Sequence, residues 1–165
     1  MHTPLIGILG GMGPFSTGMF LDLVAATCVR RYGARHDIDF PRMLICSQPA
    51  PFYPDRAPDH EALAAATLDG LRLLDQAGAD FIAMACNTVH AYHRHLAAQL
   101  RAPLLNIVDE SLARLGTNGH RVALIASRAT AESGIYQAGI QATGREYVDL
   151  GMQATVDRLL LASHD

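Results

Sequence analysis

The sequence predicts an α/β fold: a parallel sheet with helices on both faces, followed by an incomplete second α/β unit. Three observations lead there. Short apolar runs alternate with helix-length stretches, at a spacing that fits parallel strands joined by crossover helices. Turns rich in glycine, or bearing a cysteine, follow the first and third apolar runs, on the edge where such sheets bind ligands. The alternation restarts after the polar run Gly116-Thr117-Asn118-Gly119.

Pro4 to Leu9 reads as a buried strand, closed by Gly10-Gly11-Met12-Gly13-Pro14 and followed by an apolar-periodic helix from about Ser16 to Tyr32. Met43 to Ser47 is a second strand, leading into a proline-rich loop over Pro49 to Pro58. Asp59 is placed to cap a helix running to about Ala77, since a side-chain oxygen there satisfies a first-turn amide. Phe81 to Met84 is the third strand, Asn87 to Leu100 the third helix, Leu104 to Ile107 the fourth strand, and Asp109 to Leu115 the next helix. Beyond the boundary come a strand at Arg121 to Ala126, a helix at Ala131 to Ala142, a strand at Tyr147 to Asp149 and a helix at Gln153 to Ser163. Two strands make a poor sheet by themselves, so this second unit reads as unfinished. The expected division is residues 1–116 and 117–165.

Composition removes several classes of function. Half of the residues are apolar and 18% charged, which is globular rather than disordered. A net charge of −3 gives no reason to expect nucleic acid or an acidic membrane as partner. No apolar run approaches the ~20 residues of a membrane span, and the start lacks the pattern of a signal peptide. Cys28, Cys46 and Cys86 are odd in number and form no CxxC pair, so reduced thiols in the cytoplasm are expected. The 165 residues contain no lysine. Neither a pyridoxal phosphate Schiff base nor a Walker P-loop can therefore be built from them.

Met84-Ala85-Cys86-Asn87-Thr88 carries the sharpest chemical signal. Cys86 falls where a strand ends and a helix is expected to begin. There the positive end of the helix dipole favours a thiolate, and the Asn87 and Thr88 amides can receive a carboxylate. On position alone, a buried structural cysteine fits equally well. Cys28 within a helix and Cys46 within a strand read as core. Arg56, in the loop after the second strand, could bind a carboxylate in bidentate fashion or be a solvated loop charge. His90, His93 and His95 read as a solvated helix face, although His90 lies nearest the thiol and could orient it. No metal site is expected. The glycine turn lacks the third glycine and the acidic partner of a dinucleotide fingerprint.

Together, these segments resemble the aspartate/glutamate racemase family. Residues Ile6 to Pro14 with Thr17 resemble its opening, Gly78 to His90 its first catalytic segment, Pro54-Asp55-Arg56 its substrate-loop arginine, and Ala126 to Gln137 the start of its second domain. The resemblance implies two similar α/β domains facing each other across a cleft. It also implies two cysteines, one per domain, that move the α-proton of an amino acid without cofactor. Cys86 matches the first cysteine, while Met12, Thr17, Arg56, Asn87, Thr88 and Thr130 match substrate-contact regions. The second cysteine belongs to a late Gly-Cys-Thr segment, and the 165 residues stop before one occurs. The expected activity is a racemase reaction on a small acidic amino acid, aspartate or glutamate, in a homodimer or higher oligomer. Two alternatives stay open: a catalytically incomplete or truncated binding protein, and a one-cysteine lyase, isomerase or decarboxylase acting on a related carboxylic acid.

Overall fold

The computed structural model of the chain describes residues 4–53, 56–116 and 119–162. Strand β1 (Leu5–Gly10) is the centre of a three-stranded parallel sheet, flanked by β2 (Arg42–Ser47) and β3 (Phe81–Met84) in the order β2-β1-β3. Leu9 stands opposite Cys46 on one side and Met84 on the other, so all three strands end at one edge.

Helix α1 (Pro14–Tyr32) follows β1, and α2 (His60–Gln76) follows β2. Pro14 at the first helical position is pre-set for helical φ. Gly33, left-handed at φ 72°, ends α1 by donating its amide to the Val29 carbonyl at 2.9 Å. Asp59 caps α2 as expected, accepting the Ala62 amide at 3.0 Å. Leu63, Thr67, Leu68, Leu71 and Leu74 form the buried face of α2, and each fully buried leucine contributes about 1.5–3 kcal/mol. The two helices cover opposite faces. A Cβ on Gly10 would strike Thr17 of α1, whereas neighbouring Leu9 packs against Gly70 of α2, and adjacent strand residues point to opposite sides.

Beyond β3 the expected long helix is not formed. A five-residue 3₁₀ turn, Thr88–Tyr92, runs into the short helix α3 (His93–Ala97). The expected fourth strand shrinks to one parallel bridge between Leu104 and Ile82. The Asn106 side chain ends it by capping α4 (Ile107–Leu112), accepting the Val108 amide at 3.0 Å. Asp75, at the end of α2, accepts the amides of Arg101 at 3.1 Å and Ala102 at 2.8 Å, which anchors the approach to Leu104.

A separate two-stranded parallel sheet pairs β4 (Arg121–Ala123) with β5 (Glu146–Val148). Between them lie α5 (Arg128–Glu132) and α6 (Ile135–Ala142), and α7 (Gln153–Ala162) follows. The single helix expected over Ala131 to Ala142 is two. The Ser133 hydroxyl bonds back to the Thr130 carbonyl at 2.6 Å, and Gly134 turns left-handed at φ 73°. Thr117 and Asn118 of the expected boundary, and Ser163 at the expected helix end, lie outside the described residues. Helix α6 docks against α4, with Gly139 directly over Leu112 and Val108.

Candidate active site

The glycine turn and the cysteine turn come together because β1 and β3 are neighbours. The Ala85 amide donates to the Leu9 carbonyl at 2.9 Å, bringing Ala85-Cys86 alongside Gly10-Gly11. Gly11 has φ 87°, and a Cβ there would lie 2.6 Å from the Gln48 amide nitrogen. The turn is thus pressed against the end of β2, in a conformation and a space that only glycine fits.

Thr17 is buried and closes that turn. Its hydroxyl accepts the Gly11 amide at 2.9 Å and donates to the Gly13 carbonyl at 3.2 Å. Both roles of the hydroxyl are spent on shaping the loop. The Met12 side chain packs against the core, where the Thr67 hydroxyl approaches its sulfur at 3.8 Å.

Cys86 is half-buried, two residues past the end of β3, and its side chain touches the hydrophobic core. Burial pushes its thiol above the ordinary value; the backbone amides of Val89 and Thr88 pull it down without outweighing burial. This corrects the expected thiolate. A single 3₁₀ turn carries less dipole than the long helix anticipated, and even a helix terminus is worth only about 0.3–1 kcal/mol. Desolvation can move a fully buried group by up to about 3–5 pKa units.

His90 is also not on a solvated face. It is 4% exposed, and its Nδ1 donates to the Cys86 carbonyl at 2.7 Å. Its Nε2 is buried without a hydrogen-bond partner. Burial holds the ring below the usual histidine range, although the Cys86 and Leu105 carbonyls favour the protonated form. The His93 ring stacks on it at 6.0 Å and donates through Nε2 to the Leu104 carbonyl at 2.9 Å. His95 is exposed, as expected.

The second sheet's helices supply the other wall. Thr130, 1% exposed, meets the Thr88 hydroxyl at 3.1 Å and accepts a bond from Ser127 at 3.1 Å. The Tyr136 hydroxyl donates to Asn87 Oδ1 at 2.6 Å, leaving the Asn87 NH₂ group as the donor end of that side chain. Arg56 is exposed, its guanidinium 4.5 Å from the centre of the Tyr53 ring; Pro54 and Asp55 beside it lie outside the described residues.

A sequence model described as Asp/Glu/hydantoin racemase matches residues 9–159, nearly the whole of this arrangement. The chain belongs to the Asp/Glu/hydantoin racemase family. It is 40% identical over 159 residues to the broad specificity amino-acid racemase RacX of Bacillus subtilis (strain 168), covering 96% of this chain and 70% of RacX. It superposes on the Picrophilus torridus aspartate racemase with a TM-score of 0.71 at 27% identity, over 88% of this chain and 62% of that one. The chain therefore spans less than two thirds of the Picrophilus enzyme. An aspartate racemase homologue from Pyrococcus horikoshii OT3 has the same fold, with a TM-score of 0.76 at 22% identity, over 97% of this chain and 70% of that one.

Within the racemase-family chain, the structure brings Cys86, Asn87, Thr88 and Thr130 together: Thr88 meets Thr130, Asn87 accepts from Tyr136, and the Cys86 carbonyl accepts from His90. Thr17 supports it from the neighbouring turn, and Met12 is turned into the core. Sequence reasoning missed the contact of Tyr136 with Asn87 and of Ser127 with Thr130. Ser127, immediately before α5, carried a helix-start signal. Tyr136 carried none, because its partner is 49 residues away.

Proposed function

We propose that the chain supplies the first half of a cofactor-independent amino-acid racemase site, with Cys86 as the base that removes and returns the α-proton of aspartate or glutamate. The observation that carries this reading is the position of Cys86. It is a thiol just past the carboxyl end of β3, beside the glycine turn, in a chain of a racemase family. The thiolate would take the α-proton as an S–H bond, leaving a carbanion whose charge spreads into the adjacent carboxylate. The Asn87 NH₂ group and Arg56 are the donors proposed to hold the substrate carboxylates, with Thr88 beside them. Thr130 and Thr17 would shape the site, and Met12 would contribute through its place in the glycine turn.

The division of the chain into residues 1–116, bearing Cys86, and 117–165, as part of the second domain, belongs to the same reading. So do a homodimer or higher oligomer and a reducing, cytoplasmic setting, which suits three free thiols.

Cys28 is buried in α1 and Cys46 packs against the core from β2. Their placement favours a second reading for these residues: one-base chemistry, such as a lyase, isomerase or decarboxylase step on a related carboxylic acid. Exchange of the α-hydrogen of an acidic amino acid in D₂O, lost in Cys86→Ala, tests the base. A screen of products from related carboxylic acids separates the two readings. Binding without any exchange would instead select a catalytically incomplete binding protein.

A further inference from the structure

We propose that His90 is a positioning residue for Cys86: its ring, locked in the Nδ1–H tautomer, grips the Cys86 carbonyl and so fixes the turn that carries the thiol. The proposal rests on the reading of Cys86 as the base.

The winding of the turn is the first part of the argument. In an α-helix the amide of residue 90 would donate to the carbonyl of residue 86. Here the His90 amide donates instead to the Asn87 carbonyl at 3.0 Å, in the tighter 3₁₀ pattern. The Cys86 carbonyl receives the imidazole Nδ1–H at 2.7 Å in its place. Two donors of one residue thus hold two consecutive carbonyls, and the two peptides on either side of Asn87 are each clamped once. The amides of Thr88 and Val89, which favour the Cys86 thiolate, follow directly in the same turn.

The immobility of the ring is the second part. His90 is buried and stacks on His93 with the ring planes 7° apart. His93 is itself tied to the Leu104 carbonyl, and Leu104 bridges Ile82 in β3. The brace therefore runs from the cysteine turn back to the strand that precedes it.

The tautomer is the third part. A carbonyl only accepts, so Nδ1 must carry the proton. A neutral ring then leaves Nε2 as a bare acceptor, and that atom is the one buried without a partner. Buried polar atoms are rarely left so. Here the cost falls on the nitrogen that does no holding, while the other secures the turn.

Two measurements test this, and neither requires turnover, so they stand or fall apart from the racemase reading. In the first, alkylation of Cys86 against pH is followed by peptide-resolved mass spectrometry, with buried Cys28 in the same sample reporting on folding. His90→Leu should raise the Cys86 midpoint by about half a unit or more, as the turn loosens and its amides favour the thiolate less. His90→Asn, whose side-chain NH₂ can replace Nδ1–H, should restore it. An unchanged midpoint in His90→Leu, or equal damage from both variants, would overturn the proposal. The second measurement uses the unsubstituted chain and decides the matter if the variants do not fold. Nitrogen-15 NMR of the imidazoles should show His90 as the neutral Nδ1–H tautomer; an Nε2–H tautomer would overturn it.

Discussion

The hydroxyls of Thr88 and Thr130 lie 3.1 Å apart, although 42 residues separate them in sequence. Thr88 belongs to the turn after β3, and Thr130 to α5 between β4 and β5. The bond therefore ties the cysteine turn to the second sheet's helices, alongside the Tyr136–Asn87 bond. Replacing Thr130 by valine keeps the shape and deletes the hydroxyl. Thr130→Val should cost about 1–2 kcal/mol, in the range for a buried hydroxyl whose partners reach some solvent. Thr130→Ser should cost less than Thr130→Val. Urea unfolding followed by circular dichroism measures both, and a valine variant as stable as the parent would show that the link contributes nothing.

Cys86 should alkylate with a midpoint above the free-thiol value of ~8.5, because burial raises it. Proton abstraction that needs the thiolate should accordingly speed up as pH rises through that midpoint. The sign for stability is the reverse. The folded thiol has the higher value, so its contribution is complete below the unfolded thiol's value and is lost as pH rises through the folded one. Alkylation of Cys86 read at several pH values checks the first point, and a midpoint at or below the free value would contradict it.

Racemisation requires a proton to leave one face of the α-carbon and another to arrive on the opposite face. On the proposed reading, a Cys86 thiolate acting on a clamped substrate would reach one face. In D₂O the 165-residue chain should exchange the α-hydrogen of one enantiomer, with retention and little racemisation. Cys86→Ala should abolish the exchange. Proton NMR and chiral chromatography on the same samples follow both events. Rapid racemisation would point to a second base from another subunit or another residue.

The elements before Met84 were largely legible, and the reasons are local. Strands β1 to β3 are dense in apolar residues, and Asp59 caps α2 where its position suggested. The segment after Cys86 was misread for an equally physical reason. Its apolar spacing fits a helix, but the His90 side chain takes up the Cys86 carbonyl that an α-helical amide would use, and the turn winds more tightly. Leu104 to Ile107 has strand composition, yet Asn106 stops it after one bridge. Cys86, Asn87 and Thr88 could be proposed together from the sequence because one turn holds all three. Tyr136 escaped because only the docking of α6 on α4 carries it to Asn87.

Arg56 stacks on Tyr53 in an exposed loop. If it holds a substrate carboxylate, Arg56→Ala should weaken binding of an acidic amino acid by about 1.5–3 kcal/mol, the range for hydrogen bonds to charged groups. Isothermal titration calorimetry with aspartate and glutamate reads this directly. Unchanged affinity would return Arg56 to the role of a solvated loop charge.

Phe15, Met19 and Leu23 recur every four residues along one face of α1 and are 87%, 66% and 61% exposed. Such a stripe is costly to leave in water and often marks an interface. The chain should sediment as a dimer or larger at micromolar concentration, and Met19→Glu with Leu23→Glu should shift it toward monomer. A parent chain that sediments as a monomer would mean that this stripe remains solvated.

The glycine turn after β1 invites reading as a ligand signature, but its geometry has another cause. Any side chain at position 10 would collide with Thr17, and any at position 11 with the backbone at Gln48. These glycines are demanded by the approach of one helix and one loop, with or without a substrate. A descendant of this chain that lost its chemistry would still have to keep them in order to fold. Searching genomes with the glycine run therefore gathers everything that shares the architecture. On the proposed reading, sorting the active members from the silent ones depends on positions 86 to 88, where folding imposes no comparable steric demand for glycine.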